Sequence, residues 1–278
     1  MVDIFIPDTR EAPLWTIGAT ALIVCCMLLL INFYLFPEGV LAPISLASRG
    51  LINSTLVANL LTVTALCAFW KSCGKMRWRD VQLARERLVP GLGTGLLFWL
   101  TNQVLVLVSA QVDDARIMLN PEMPQLVSGE SLAFVGGLLS QLLGNGLYEE
   151  MVYRGYLIPQ LLLKINKRTR CGPFTALLIA AMFAVLLFTM SHLPNVLYRG
   201  MPIRVLVIPL VIGAGFTVLY LLTGNLFLVL AIHAVANEPS LILVREEPTR
   251  SMTFHLTLAV FVVAFALLRV RRRIRNKL

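Results

Sequence analysis

Eight apolar runs, most of them about 18–23 residues long, constrain this chain more than any other feature. They cover about Leu14–Phe36, Leu51–Trp70, Gly91–Ala110, Ser131–Leu163, Phe174–Leu193, Ile203–Leu222, Leu226–Val244 and Met252–Leu268. Runs of that length match the hydrocarbon thickness of a bilayer. Inside it every backbone N–H and C=O must be satisfied within the protein, which leaves helices or a closed barrel. Barrel strands would appear as alternating segments of about ten residues, and these runs are longer and continuous. The fold class is therefore all-α, a polytopic transmembrane helical bundle of about eight spans, expected as one integral membrane domain over residues 1–278. Composition closes the soluble alternative: 58% of residues are hydrophobic and 14% charged, against about 25% charged in soluble domains.

The net charge of +9 raises nucleic acid as a partner, but its distribution points to a membrane. Lys71, Lys75, Arg77, Arg79, Arg85 and Arg87 follow the second run. Lys164, Lys167, Arg168 and Arg170 follow the fourth. Arg269, Arg271, Arg272, Arg273, Arg275 and Lys277 follow the eighth. With eight spans these segments share one side, and the positive-inside rule makes that side, and both termini, cytoplasmic. The polybasic tail then reads as a topology anchor with some attraction to anionic lipid, and no nucleic-acid partner is expected. The first run is too long for a signal-peptide core and lacks a basic flank, so it reads as a retained span. Cys25, Cys26, Cys67, Cys73 and Cys171 show no CxxC spacing and read as small apolar residues rather than a disulfide or zinc framework.

The fourth run carries Glu149, Glu150 and Arg154 inside apolar sequence. A charge at a helix centre in the membrane costs about 2.5–3.5 kcal/mol on insertion scales, so each needs a partner or a task. Glu150 and Arg154 are spaced i, i+4 and can pair. Glu149 then remains, on a stripe with Asn145 and Gln141 that returns every four residues. Two histidines also fall within runs: His192 at the end of the fifth, after Phe188, and His233 in the seventh, one turn before Asn237. Glu149 and His192 lie at nearly equal sequence distances from the turn at Arg170, so a helical hairpin brings them to the same height. The cluster reads as a polar cavity within the membrane, reached from the cytoplasmic side or laterally. A carboxylate beside an imidazole in low dielectric is suited to deprotonating water, and imidazole or amide N–H groups can hold a developing oxyanion. No HExxH or GxSxG motif is present.

Glu149-Glu150-x-x-x-Arg154, Phe188-x-x-x-His192 and His233-x-x-x-Asn237, in that order on successive spans, resemble the three motifs of the CPBP family of CAAX-processing and bacteriocin-processing intramembrane proteases, also called the Abi family. The resemblance covers about residues 131–243, which becomes the expected catalytic core. It implies an intramembrane endopeptidase with a conical catalytic cavity. Glu149 is implied as the base that activates water, assisted by His192. His233 and Asn237 are implied as the oxyanion holders, with Glu150 and Arg154 fixing the helix and Phe188 in support. Glu149, His192 and His233 also form a donor set of the type that holds zinc. Water activation without a metal needs fewer assumptions and is the reading adopted. The implied partner is a membrane-associated peptide or protein, with or without a prenyl group, and the small chain favours a prokaryotic cell membrane over the ER. The alternatives are a non-catalytic scaffold or bacteriocin-immunity-type protein that keeps the same buried polar cluster, and a proton-coupled transporter using it as a relay.

Overall fold

The computed structural model describes residues 9–112, 116–119, 131–237, 243–245 and 250–275. Each apolar run forms a helix: α1 (Leu14–Leu35), α2 (Ser54–Ser72), α3 (Leu88–Val112), α4 (residues 131–168), α5 (Pro173–Tyr198), α6 (Val207–Thr223), α7 (Leu226–Asn237) and α8 (Arg250–Arg275). Among the described residues six regions are long and apolar enough to cross a membrane: Leu14–Leu35, Ser54–Ser72, Arg85–Val112, Pro173–Tyr198, Ile203–Thr223 and Thr253–Arg272. The other two helices, the polar α4 and the short α7, carry most of the polar residues singled out above. The chain is an integral membrane helical bundle. It adds one antiparallel strand pair, β1 (Ile117–Leu119) with β2 (Leu243–Arg245), in which Ile117 lies opposite Arg245. The seventh run, expected to be helical to Val244, is described as helix over Leu226–Asn237, and the backbone at Val244 pairs as a strand.

Helix α4 is the centre of the bundle. From Glu150 to Gln160 every residue is buried, which is the mark of a helix surrounded by protein rather than lipid. Two π-helical stretches, Ser140–Gly146 and Met151–Leu157, flank the short α-helical turn Leu147–Glu150. The second stretch ends just before Pro159, whose missing N–H removes one bond of the regular ladder. Around α4 the outer helices turn Leu22, Leu96, Phe174, Val211 and Leu267 outwards. Such apolar exposure suits a lipid-facing surface.

Helices α1 and α2 are fastened to α4 by polar bonds inside apolar packing. Trp70 Nε1 donates to Thr20 Oγ1 (2.9 Å) and the Tyr156 hydroxyl donates to Thr16 Oγ1 (3.0 Å). The Trp70 and Tyr156 rings stack at 4.7 Å. At the end of α6 the chain turns through Gly224, at φ +65°, a left-handed conformation that glycine adopts without a Cβ clash. Asn225 Nδ2 then donates to the Arg87 carbonyl (3.0 Å), joining this turn to the start of α3.

The basic segments gather at one end. Glu11 pairs with Lys164 (2.5 Å) and Lys167 (3.3 Å), tying the N-terminal segment to the end of α4. The Arg10 N–H donates to Asp80 Oδ1 (3.0 Å), tying the same segment to the basic loop after α2. Arg87 donates to the Gly224 carbonyl, and Arg269 of α8 donates to the Leu222 carbonyl (3.3 Å). Asp80 organises the loop: it is fully buried and accepts from the Arg77 N–H (2.6 Å) and guanidinium (3.0 Å). Burial alone would raise its carboxyl, but the Arg77 and Arg10 hydrogen bonds outweigh it and hold Asp80 below its usual range.

Candidate active site

Glu150 and Arg154 form the expected pair, with Arg154 Nη1 donating to Glu150 Oε1 at 3.0 Å and both side chains out of solvent. The guanidinium has further partners on α6: Nη2 donates to the Gly213 carbonyl (2.9 Å) and Nε to Thr217 Oγ1 (3.3 Å). It also sits 4.5 Å over the Phe188 ring and 5.8 Å from the Phe216 ring. A buried cation needs its donors spent and its charge balanced, and both conditions are met here. Gly213 permits the approach of α6: a Cβ there would lie 2.7 Å from Phe188 Cδ1 and 3.4 Å from Arg154 Nη2.

Glu150 has a second role. His233 Nδ1 lies 2.7 Å from the same Glu150 Oε1. A carboxylate oxygen only accepts, so Nδ1 carries the hydrogen and donates. That bond orients the imidazole, whose Nε2 lies 3.4 Å from Glu149 Oε2. Arg154, Glu150, His233 and Glu149 thus form one chain running from the buried core to the cavity. Glu149 Oε2 is itself out of solvent and makes no hydrogen bond among the described residues, while the Glu149 side chain lines the cavity beside it.

His192 is oriented independently. Its Nδ1 donates to the Phe188 carbonyl at 2.9 Å, which leaves Nε2 as the acceptor in the neutral ring. Phe188 serves both histidines and the arginine: its ring centroid is 4.8 Å from that of His192 and 6.1 Å from that of His233.

Glu149, His192, His233 and Asn237 all line one cavity of about 540 Å³. Its wall is rich in carboxamides: Asn32, Asn59, Gln141, Asn145, Asn195 and Asn237. Four of them are linked. Asn59 Nδ2 donates to Asn145 Oδ1 (2.6 Å), Asn145 Nδ2 donates to Gln141 Oε1 (2.9 Å), and Asn237 Nδ2 donates to the same Gln141 oxygen (2.9 Å). The stripe Gln141, Asn145 and Glu149 read from the sequence therefore does face a single cavity.

The sequence reading did not single out Asn59, Thr217, Phe216 or the Gly213 carbonyl. Asn59 was accessible to it as an amide within an apolar run. The Gly213 carbonyl carries no sequence signal, because any residue supplies one. The spacing argument set Glu149 level with His192, and the contact seen is with His233 (3.4 Å).

Glu149, His192 and His233 are of the right chemical type to hold zinc, but no three His, Cys, Asp or Glu among the described residues are grouped to hold an ion. Both nitrogens of His233 already face carboxylates. The donor set does not fit a metal centre as arranged.

Residues 131–238 match the family model described as Rce1-like, type II CAAX prenyl endopeptidase. The interval is less than half of the chain, and it contains Glu149, Glu150, Arg154, Phe188, His192, His233 and Asn237. No curated protein and no solved structure matches the chain.

Proposed function

We propose that this protein, whose residues 131–238 match the Rce1-like family model, is an intramembrane endopeptidase that hydrolyses a peptide bond with a water activated by Glu149. The observation that carries the reading is the Glu149 carboxylate, 3.4 Å from the His233 imidazole and lining an amide-rich cavity. A water bound there lies against a carboxylate that can take its proton as the oxygen attacks the scissile carbonyl carbon. His192, with Nε2 as acceptor, assists in holding that water. The imidazole of His233, when protonated at Nε2, and the amide of Asn237 donate to the oxyanion as it forms. Glu149 then returns the proton to the departing amine as the C–N bond breaks, which leaves the carboxylate as it began.

Glu150 is a positioning residue in this scheme. It holds His233 Nδ1 as a buried carboxylate holds the base of a catalytic triad, fixing the tautomer and the direction of Nε2. The carboxamide wall supports a peptide substrate: an extended backbone presents alternating donors and acceptors, and amides can meet both. The substrate is a membrane-associated peptide or protein, and no feature of the cavity wall requires a prenyl group on it.

The test compares wild type, Glu149→Gln and His192→Ala, purified in detergent, against quenched peptides with and without a prenylated cysteine. Cleavage by wild type, reduced about 10²–10⁴-fold in Glu149→Gln with unchanged melting temperature, is the expected result. Cleavage by Glu149→Gln at the wild-type rate would refute the assignment.

A further inference from the structure

A second cavity, of about 530 Å³, lies at the basic end of the bundle and shares no lining residue with the one around Glu149. Four helix ends meet around it: the starts of α3 and α7 and the ends of α6 and α8. Arg87, Arg269 and Arg272 line it, and no carboxylate lines it among the described residues. Much of the remaining wall is apolar, including Leu222, Leu228 and Phe265.

The protein itself makes unequal use of the three arginines. Arg87 Nη1 donates to the Gly224 carbonyl, and Arg269 Nη1 donates to the carbonyls of Leu221 (2.5 Å) and Leu222 (3.3 Å). Both therefore cap the negative end of α6, which is a sufficient structural role for two cations. Arg272 has no such role. It lies three residues beyond Arg269 on α8, lines the same cavity, is exposed, and makes no hydrogen bond or ion pair among the described residues. Arg87 also has donors to spare: its bonds, to Gly224 and Gln82, both leave from Nη1, so Nε and Nη2 remain for a ligand.

Polarity is ordered along the helices. The arginines sit at helix ends, whereas Phe265 lies seven residues before Arg272 on α8, about 10 Å farther into the span. Leu228 lines the cavity from the first turn of α7. Thr94, at a similar depth on α3, spends its hydroxyl on the Pro90 carbonyl (2.8 Å). A fitting ligand brings an anion with several acceptor oxygens to the rim and hydrocarbon to the wall beneath it. A free phosphate or an acidic peptide would meet the arginines and leave the apolar wall uncovered. A phospholipid supplies both parts, and guanidinium forks match phosphate oxygens.

We propose that this cavity binds the phosphate of an anionic phospholipid, with the upper part of an acyl chain against Leu228 and Phe265. The bound lipid joins α3, α6 and α8 to the turn from which α7 rises towards His233, eight residues after Asn225. The site does not depend on the endopeptidase reading, and its test needs no substrate.

The full chain, stripped of lipid in a neutral detergent, is titrated at fixed ionic strength with phosphatidylglycerol or phosphatidylcholine of equal chain length. Native mass spectrometry counts the bound lipid, and the melting temperature is followed in parallel. Phosphatidylglycerol should bind more tightly than phosphatidylcholine and raise the melting temperature. One basic side chain beside an anionic headgroup is worth about fivefold in affinity, so Arg272→Gln should weaken phosphatidylglycerol binding about five- to tenfold. Its melting temperature without lipid should equal that of wild type, because Arg272 has no protein partner to lose. Arg271→Gln removes an exposed neighbouring charge outside the cavity and should bind as wild type does. Equal losses in the two variants would mean diffuse attraction to the basic tail and overturn the site, as would equal affinity for the two lipids. Glycerol phosphate carries the same anion without hydrocarbon. If it protects as well as phosphatidylglycerol does, the ligand is a soluble anion and the lipid assignment is refuted.

Discussion

Glu149 and Glu150 are adjacent and chemically identical, yet the same isosteric change should destabilise the fold at Glu150 and leave its stability nearly unchanged at Glu149. In Glu150→Gln the Arg154 guanidinium keeps its bonds to the Gly213 carbonyl and Thr217 but loses its counter-charge, while fully buried. Removing one partner of a buried pair costs about 3–5 kcal/mol. The glutamine oxygen can still accept one of the two bonds made by Arg154 and His233, so about 3 kcal/mol is the expected loss. For a domain of this size about 2–4 °C of melting temperature accompanies each kcal/mol, so a fall of about 6–12 °C is expected. Activity should fall with it, because His233 Nδ1 loses the carboxylate that orients it. Glu149→Gln removes a charge whose Oε2 has no protein donor to lose, and the melting temperature should stay within about 1–2 °C while activity disappears. Thermal denaturation in detergent, followed by a cysteine-reactive dye or by aggregation, and peptide cleavage on the same preparations give both readouts. Equal destabilisation by the two substitutions would refute the division of labour, as would full activity in Glu150→Gln.

Three further substitutions probe other parts of the argument. Gln141→Leu removes the oxygen that accepts from both Asn145 and Asn237; about a tenfold loss of kcat is expected as Asn237 loses its orientation, equivalent to about 1.4 kcal/mol, with the effect read from initial rates. Gly213→Ala places a methyl group 2.7 Å from Phe188, and thermal denaturation should show about 1–3 kcal/mol of overpacking strain, together with reduced activity because Phe188 packs on both histidines. Asp80→Asn should lower stability most at neutral pH. The folded carboxyl lies below its unfolded value of about 3.9, so its contribution is present above that pH and is lost as pH falls through the folded value. The melting-temperature gap between wild type and Asp80→Asn should therefore be constant from pH 8 to about 5 and narrow below about 4; a gap that widens in acid would show that the sign is wrong.

The membrane class, the helices and the family-bearing motifs were legible in the sequence because each depends on local information. Apolar run length is a property of consecutive residues, and bilayer thickness converts it directly into a helix. The Glu150–Arg154 pair follows from helical spacing alone, and the four residues expected at the site do line one cavity. The tertiary structure decided the rest. It gave Glu150 a second partner in His233, a residue more than eighty positions away, and it satisfied Arg154 with a backbone carbonyl that no side-chain pattern announces. It made the backbone at Val244 part of a strand pair rather than a helix. Sequence spacing fixes which residues share a helix face, but which faces meet across the cavity depends on side chains from α4, α5 and α7 that come together only in the folded bundle.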